Sequence, residues 1–288
     1  MEIHSVEHGP VGSGAGLAAH VRAHLPDLRE TEARVARVVL DKGAELVHLS
    51  VSDVAALAGT APSTVVRACQ RLGFRGYQEL KIAAARQAPA QEPSEDRDPA
   101  ARALADTVRA AREALDGVAA TVTPEHLRTA AGLIDAASRV LVVGAGLSGA
   151  VVLDTAYRLR ALGFVVDAPA DPLTAQLAAS QLTSADACLA ISHTGATRST
   201  VDAARGARRG GARVVALTSY ARSPLSESSH CTLVAGGQDL VFGLETVASR
   251  LAHLTVIDAL TLTLLELRGA PAEAALRLSA DVTVDHSY

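Results

Sequence analysis

Apolar positions change their spacing along the 288 residues. From Leu17 to about Ala85 they recur at helical intervals. Leu28, Val35, Val38 and Val39 share one face, and Asp41-Lys42-Gly43 interrupts the run. A second interruption, Gln87–Pro99 (QAPAQEPSEDRDP), has the proline and acid content of a linker. Helical spacing resumes over about Ala100–Ala120, and Thr123-Pro124 offers another helix start with proline in the first position. After Ser138 the texture changes to short, continuous apolar runs: Val140–Val143, Phe164–Val166, Ala187–Ile191, Val214–Leu217 and Cys231–Val234. Helical stretches at Gly149–Ala161, Leu173–Gln181 and Arg198–Arg209 separate most of them. Strands that do not alternate and are divided by helices predict a parallel sheet covered on both faces. A last apolar helix, about Leu244–Leu267, is predicted to pack on that sheet or to form a subunit interface. No internal repeat is visible.

The predicted fold class is therefore two-domain, α followed by α/β. Residues 1–15 are expected to be mobile and 16–86 to form a helical domain. Residues 87–122 form a linker and connecting helix, 123–270 a doubly wound parallel α/β domain, and 271–288 a C-terminal tail.

Composition narrows the class. Apolar residues make up 49% of the chain but aromatics only 2%, so the cores must close through Ala, Val and Leu. No run of about 18 uncharged apolar residues appears, and MEIHSVEHGP lacks the basic start and apolar stretch of a secretory signal. Three cysteines (Cys69, Cys188, Cys231) have no paired spacing. A cytoplasmic protein without a membrane partner, metal or cofactor is expected. Net charge is −4, yet Arg67, Arg71, Arg75, Lys81 and Arg86 face a single acid, Glu79, between Thr60 and Gln87. Local charge, not the total, decides whether a face suits nucleic acid.

The segment Ser50–Gly73, SVSDVAALAGTAPSTVVRACQRLG, carries the signals of two helices around a tight turn. Ser50 with Asp53 fits a capping box that opens a helix bearing Val54, Ala55, Leu57 and Ala58. Gly59 supplies the turn. Pro62 suits a first helical position, and Val65, Val66, Ala68, Cys69 and Leu72 are expected to form the packing face. Ser63, Thr64, Arg67 and Arg71 are left pointing away from it. In a helix-turn-helix the second helix meets base edges while flanking polar groups hold phosphates. Ser63, Thr64 and Arg67 are the candidates near the major groove, and Arg71, Arg75 and Lys81 the remaining DNA contacts. An ordinary helical hairpin would show the same spacing.

Thr64-Val65-Val66-Arg67, Arg71–Tyr77 (RLGFRGY) and Glu79-Leu80-Lys81 resemble the RpiR/MurR family of bacterial regulators. Glu32–Ala36 and Val51–Ala58 extend the resemblance. Two departures stand out: Ala61 and Arg29 occupy positions where the family has helix-capping residues.

A second chemistry lies at the strand ends. Gly144–Gly149 (GAGLSG) is a formal G-x-G-x-x-G after a strand, and Asp167 ends the next strand, which together satisfy the dinucleotide fingerprint. A tight turn with no nucleotide needs the same glycines. The next loop, Ser192-His193-Thr194-Gly195-Ala196-Thr197, joins a strand to a helix, where hydroxyls, backbone N–H groups and the helix N-terminus converge on an anion. Thr218-Ser219 ends the following strand. Three strand ends thus carry hydroxyls, and ligands of open α/β sheets sit at such ends; a dinucleotide site has no need of the second and third. Over about Leu127–Leu267 the chain resembles the sugar isomerase (SIS) domain, a phosphosugar-binding module. The resemblance implies ligand contacts from Gly146, Ser148, Ser192, His193, Thr194, Gly195, Thr197, Thr218, Ser219 and Glu245. Thr194 stands where the family has a second Ser, and its extra methyl narrows the loop.

The resemblances together imply a DNA-binding transcriptional regulator sensing a phosphosugar, controlling carbohydrate metabolism genes and acting as a dimer or tetramer on a double-stranded operator. Two other readings remain open at this level. One is a phosphosugar isomerase with a helical appendage, for which His193 and Glu245 are the possible bases. The other is a regulator sensing a dinucleotide through Gly144–Gly149 and Asp167.

Overall fold

The computed structural model of the protein describes residues 17–85, 98–236 and 247–285. These divide into two compact units, the first ending before the linker segment and the second formed by the rest. Residues 1–15 and most of Gln87–Pro99 lie outside the described residues.

The first unit is all helical: α1 (Leu17–His24), α2 (Glu30–Lys42), α3 (Val51–Leu57), α4 (Pro62–Arg71) and α5 (Tyr77–Ala85). Helix α2 ends where Gly43 adopts φ +48, at the interruption read in the sequence. Its core is made of small aliphatic side chains, with Val35, Leu46, Val54, Val65, Leu72 and Leu80 all fully buried. The few aromatics close its edges. Tyr77 donates its hydroxyl to Leu49 O at 2.9 Å, and Phe74 lies edge-on to His20, whose Nε2 is 2.7 Å from Leu72 O.

The second unit begins with α6 (Pro99–Thr121), N-capped by Asp98. Next comes α7 (Pro124–Asp135), capped by Thr123 with Pro124 in its first turn. Five parallel strands follow: β1 (Val140–Val143), then α8 (Ser148–Ala161), β2 (Val166–Asp167), α9 (Pro172–Ser180), β3 (Ala187–Ile191), α10 (Arg198–Arg209), β4 (Arg213–Thr218) and β5 (Cys231–Val234). Their spatial order is β2-β1-β3-β4-β5. Every residue of β1 and β3 is buried, which explains the missing alternation. Leu141, Val143, Cys188, Ala190, Val214 and Ala216 pack against α9 and α10 on one face. The sheet register is continuous, with Val143 opposite Ala190 and Ile191 opposite Leu217.

Helix α11 (Val247–Arg268) packs with α6, α7 and α8. Its length and mean hydropathy of 1.3 would suit a membrane span, but Ala252, Val256, Ile257, Leu260 and Leu264 are buried within the unit. Most of the expected C-terminal tail is helical: α12 (Ala270–Asp285) follows the turn at Gly269 (φ +60) and contacts α8 and α11, with Ala272 fully buried.

Candidate functional site

In the first unit the predicted capping box is closed. Asp53 N–H donates to Ser50 Oγ at 3.1 Å, and Ser50 N–H donates to Asp53 Oδ2 at 2.9 Å. Gly59 turns the chain at φ +62, and Thr60 N–H returns to Ala55 O at 2.8 Å. Arg34 Nη2 reaches the turn from α2, donating to Gly59 O at 3.2 Å. Ala61 has the extended backbone of an N-cap but no side-chain bond to offer. At Arg29 the missing cap is partly replaced, since its N–H donates to Glu32 Oε2 at 3.1 Å.

The structure redistributes the side chains of α4 and α5. Ser63, Arg67, Arg71 and Arg75 are exposed as expected. Thr64 and Lys81 are not: Thr64 is 8% exposed and Lys81 5%, because α4 packs on both α2 and α3, and Lys81 faces the core side of α5. Val66, expected in the packing face, is instead at the surface. The exposed stripe of α4 is Ser63, Val66, Arg67 and Gln70, spaced i, i+3, i+4, i+7. Gln70 was not singled out from sequence, although that spacing from Ser63 was there to be read. Arg67 Nη2 donates to Thr64 Oγ1 at 3.2 Å, which holds the guanidinium near the start of the helix. Arg75 pairs with Glu79. The Arg75 N–H bonded to Glu79 lowers that carboxyl's pKa, with the Arg75 side chain adding to the effect. Cys69 is buried and its thiol is pushed up to about 12 by desolvation, as suits a packing residue.

In the second unit, the parallel register of β1, β3 and β4 brings their following loops to one edge of the sheet. Gly146 (φ +61) turns the first loop, and Ser148 opens α8 with its side chain buried. Gly144 cannot carry a Cβ, which would press against Ile191 O and Val152. The Ser192–Thr197 loop is folded on itself. Ser192 Oγ donates to Thr197 Oγ1 at 3.1 Å, Gly195 N–H donates to Ser192 O at 3.1 Å, and Ala196 N–H donates to Thr194 Oγ1 at 3.2 Å. Gly195 sits at φ +61, where a Cβ would collide with the Ser223 side chain and Thr218 Oγ1. Thr197 is the N-cap of α10, yet its hydroxyl caps none of the first-turn N–H groups. That leaves the N-terminus of α10 without a side-chain cap.

The β4 end belongs to the same cluster but turns inward. Thr218 is fully buried; its hydroxyl donates to His193 O at 3.1 Å and accepts from Tyr220 N–H. His193 Nδ1 is 2.7 Å from Ser219 Oγ, which is 3.1 Å from His253 Nε2, and that nitrogen is 2.9 Å from Ala235 O. A carbonyl only accepts, so His253 Nε2 carries a hydrogen. Desolvation, reinforced by the neighbouring His193, lowers the His253 pKa to about 3. His253 is a buried member of this network. Glu245 lies outside the described residues. Asp167, the acid of the dinucleotide fingerprint, is exposed on β2 beside Leu141, two residues short of the end of β1.

A helix-turn-helix unit joined to an α/β unit with hydroxyl-rich loops at its strand ends defines a ligand-responsive DNA-binding regulator. Comparison with known proteins agrees. The rpiR-family helix-turn-helix domain is matched over residues 15–91 and the SIS domain over residues 133–263. The chain is similar to HexR of Pseudomonas aeruginosa, an HTH-type transcriptional regulator, at 30% identity over 282 residues, covering 94% of this chain and 97% of that one. An uncharacterized HTH-type transcriptional regulator of Caldanaerobacter subterraneus is 28% identical over 249 residues, covering 85% and 88%. Among solved structures, the Vibrio vulnificus NanR protein complexed with ManNAc-6P matches with a TM-score of 0.80 and 25% identity, over 94% of this chain and 99% of that one. The chain belongs to the rpiR family of helix-turn-helix transcriptional regulators, with a SIS domain as its second unit.

Proposed function

We propose that the SIS domain of this regulator binds a phosphorylated sugar, with the phosphate seated on the Ser192–Thr197 loop and the N-terminus of α10. The observation that carries this is the uncapped first turn of α10 beside the paired hydroxyls of Ser192 and Thr197. Backbone N–H groups, hydroxyls and the helix dipole together hold an anion without a lysine or arginine. The ManNAc-6P bound by the similar NanR protein is a ligand of the same chemistry. Gly146 and Ser148 approach from the first loop. Thr218 and Ser219 act from behind by holding His193.

The protein works as a sensor, not a catalyst. An isomerase needs a base at the sugar carbons. The ring nitrogen of His193 that faces Ser219 is committed to a chain of hydroxyl, imidazole and carbonyl, with no carboxylate in it. On the DNA side, Ser63, Val66, Arg67 and Gln70 of α4 enter the major groove, where glutamine pairs with adenine and arginine with guanine. Arg75 holds a phosphate. One short helix reads too few base pairs alone, so two copies bind paired half-sites in the cytoplasm, controlling carbohydrate metabolism genes. Leu153 and Tyr157 of α8, Leu262 of α11, and Leu278 and Val282 of α12 are each at least 60% exposed, on helices that touch one another. Apolar surface on that scale suits a subunit interface.

The test is thermal unfolding of the purified protein against sugar phosphates, free sugars and dinucleotides. A rise with a phosphosugar that disappears in Ser192→Ala is expected. A rise with dinucleotides alone would overturn the proposal.

A further inference from the structure

Thr200 stands in the first turn of α10, 2% exposed, and its hydroxyl has no hydrogen-bonding partner among the described residues. Several helical threonines elsewhere in this protein solve that problem in the same way. Thr155, Thr255, Thr261 and Thr263 each donate to the carbonyl four residues back, at 2.6–2.9 Å. Thr200 does not. A buried hydroxyl without a partner is costly, so its retention calls for a partner that arrives from outside the chain.

Thr200 lines a small pocket with room for about one water-sized group. The walls include Gly144 and Ala145 after β1, Pro169 and Pro172 around the start of α9, Ala175, and Ser199 beside Thr200. This is the crevice where the strand order reverses, β1 leading outward to β2 and β3 leading the other way. The pocket adjoins the first turn of α10, whose N-terminus also serves the phosphate loop. One end is polar, formed by Ser199 and Thr200. The sides are carbon, from proline and alanine. A phosphate is too large and too fully hydrated for such a space. An alcohol on a saturated carbon, with an oxygen at its tip and C–H at its flank, has the right chemistry.

We infer that this pocket is a specificity subsite taking one hydroxyl of the effector's sugar portion, hydrogen-bonded by Thr200. The inference deepens the phosphosugar reading above and rests on it. Thr200 thereby discriminates among sugars that the phosphate loop alone would accept equally, because a ligand lacking that hydroxyl leaves the buried group unpaired.

The test compares the full-length protein with Thr200→Val, which keeps the branched shape and removes the hydroxyl, with Thr200→Ser, which restores it, and with Ser192→Ala. The probes are inorganic phosphate, a panel of hexose 6-phosphates, and singly deoxygenated analogues of the hexose phosphate that wild type binds most tightly. Thr200→Val is expected to bind that hexose phosphate about tenfold more weakly, as for one lost hydrogen bond. Thr200→Ser should recover most of the affinity, and inorganic phosphate should be bound equally by all except Ser192→Ala. One deoxygenated analogue should bind wild type and Thr200→Val alike. Without ligand, Thr200→Val should unfold at or above the wild-type temperature, since no internal bond is lost. Unchanged hexose phosphate affinity in Thr200→Val, or a lower unfolding temperature without ligand, overturns the inference and leaves the phosphosugar reading standing. If no hexose phosphate and no inorganic phosphate binds wild type, that reading falls and the subsite falls with it.

Discussion

Arg71 Nε lies 3.2 Å from Glu32 Oε2, joining the end of α4 to the first turn of α2. The carboxylate side chain is 5% exposed and the guanidinium 45%, so the pair is closed on one side and open to solvent on the other. The same Glu32 oxygen accepts the Arg29 N–H. One carboxylate therefore stands in for the absent cap of α2 and anchors α4. Removing one member of such a pair leaves the other exposed to the cost of an unmatched buried group. Arg71→Ala is expected to lower the unfolding temperature of the free protein, by about 1–2 kcal/mol in stability, while Arg67→Ala leaves it unchanged and weakens operator binding. Equal unfolding temperatures for the two variants would show that the Arg71–Glu32 pair does not stabilise the folded protein.

Ala61 precedes Pro62 with φ −86 and ψ 153, the backbone of a helix N-cap without the oxygen to act as one. Ala61→Ser supplies that oxygen to an N–H in the first turn of α4 and is expected to stabilise the protein by about 1 kcal/mol. Denaturant unfolding followed by helical circular dichroism measures it. A variant no more stable than wild type would mean that the first-turn N–H groups are already satisfied.

Much of this architecture could be read along the chain. The burial of β1 and β3 on both faces, the Ser50–Asp53 box and the break after Lys42 are encoded within a few residues of where they act. What could not be read depends on distant partners. Thr64 looks outward on a wheel drawn for α4 alone, and only the packing of α2 and α3 buries it. Lys81 is basic and lies in a basic stretch, but α5 turns it inward. His193, Ser219 and His253 come from three elements 26 and 34 residues apart, so no local pattern announces their network. Thr200 has no distinguishing neighbour in sequence; only the missing hydrogen bond marks it.

The contrast between Arg75 and Lys81 gives a direct check on the DNA-binding face. Arg75 has a side chain 92% exposed beyond α4, whereas Lys81 is buried. Each released phosphate contact lowers the slope of log affinity against log salt by about one. Arg75→Ala is expected to reduce that slope by about one and to leave the unfolding temperature near wild type. Lys81→Ala is expected to do the reverse, losing stability while keeping the slope. Titrations of a labelled operator duplex at several salt concentrations separate the two, and an unchanged slope for Arg75→Ala would remove Arg75 from the interface.

His253 makes the stability of the SIS domain depend on pH. Burial, with His193 beside it, holds its pKa near 3, whereas an unfolded histidine titrates near 6.5. The unfolded state therefore binds the extra proton first as pH falls. The contribution of the neutral, buried His253 is complete above about pH 6.5 and is lost progressively as pH drops from there towards 3. Within that window the slope from this one residue is about 1.4 kcal/mol per pH unit. His253→Asn keeps a donor for Ala235 O but cannot titrate, so its stability should decline less steeply between pH 6 and 4 than that of wild type. Urea unfolding at half-unit steps across this range measures both slopes, and parallel curves would show that His253 is protonated in the folded protein over the same interval as in the unfolded chain.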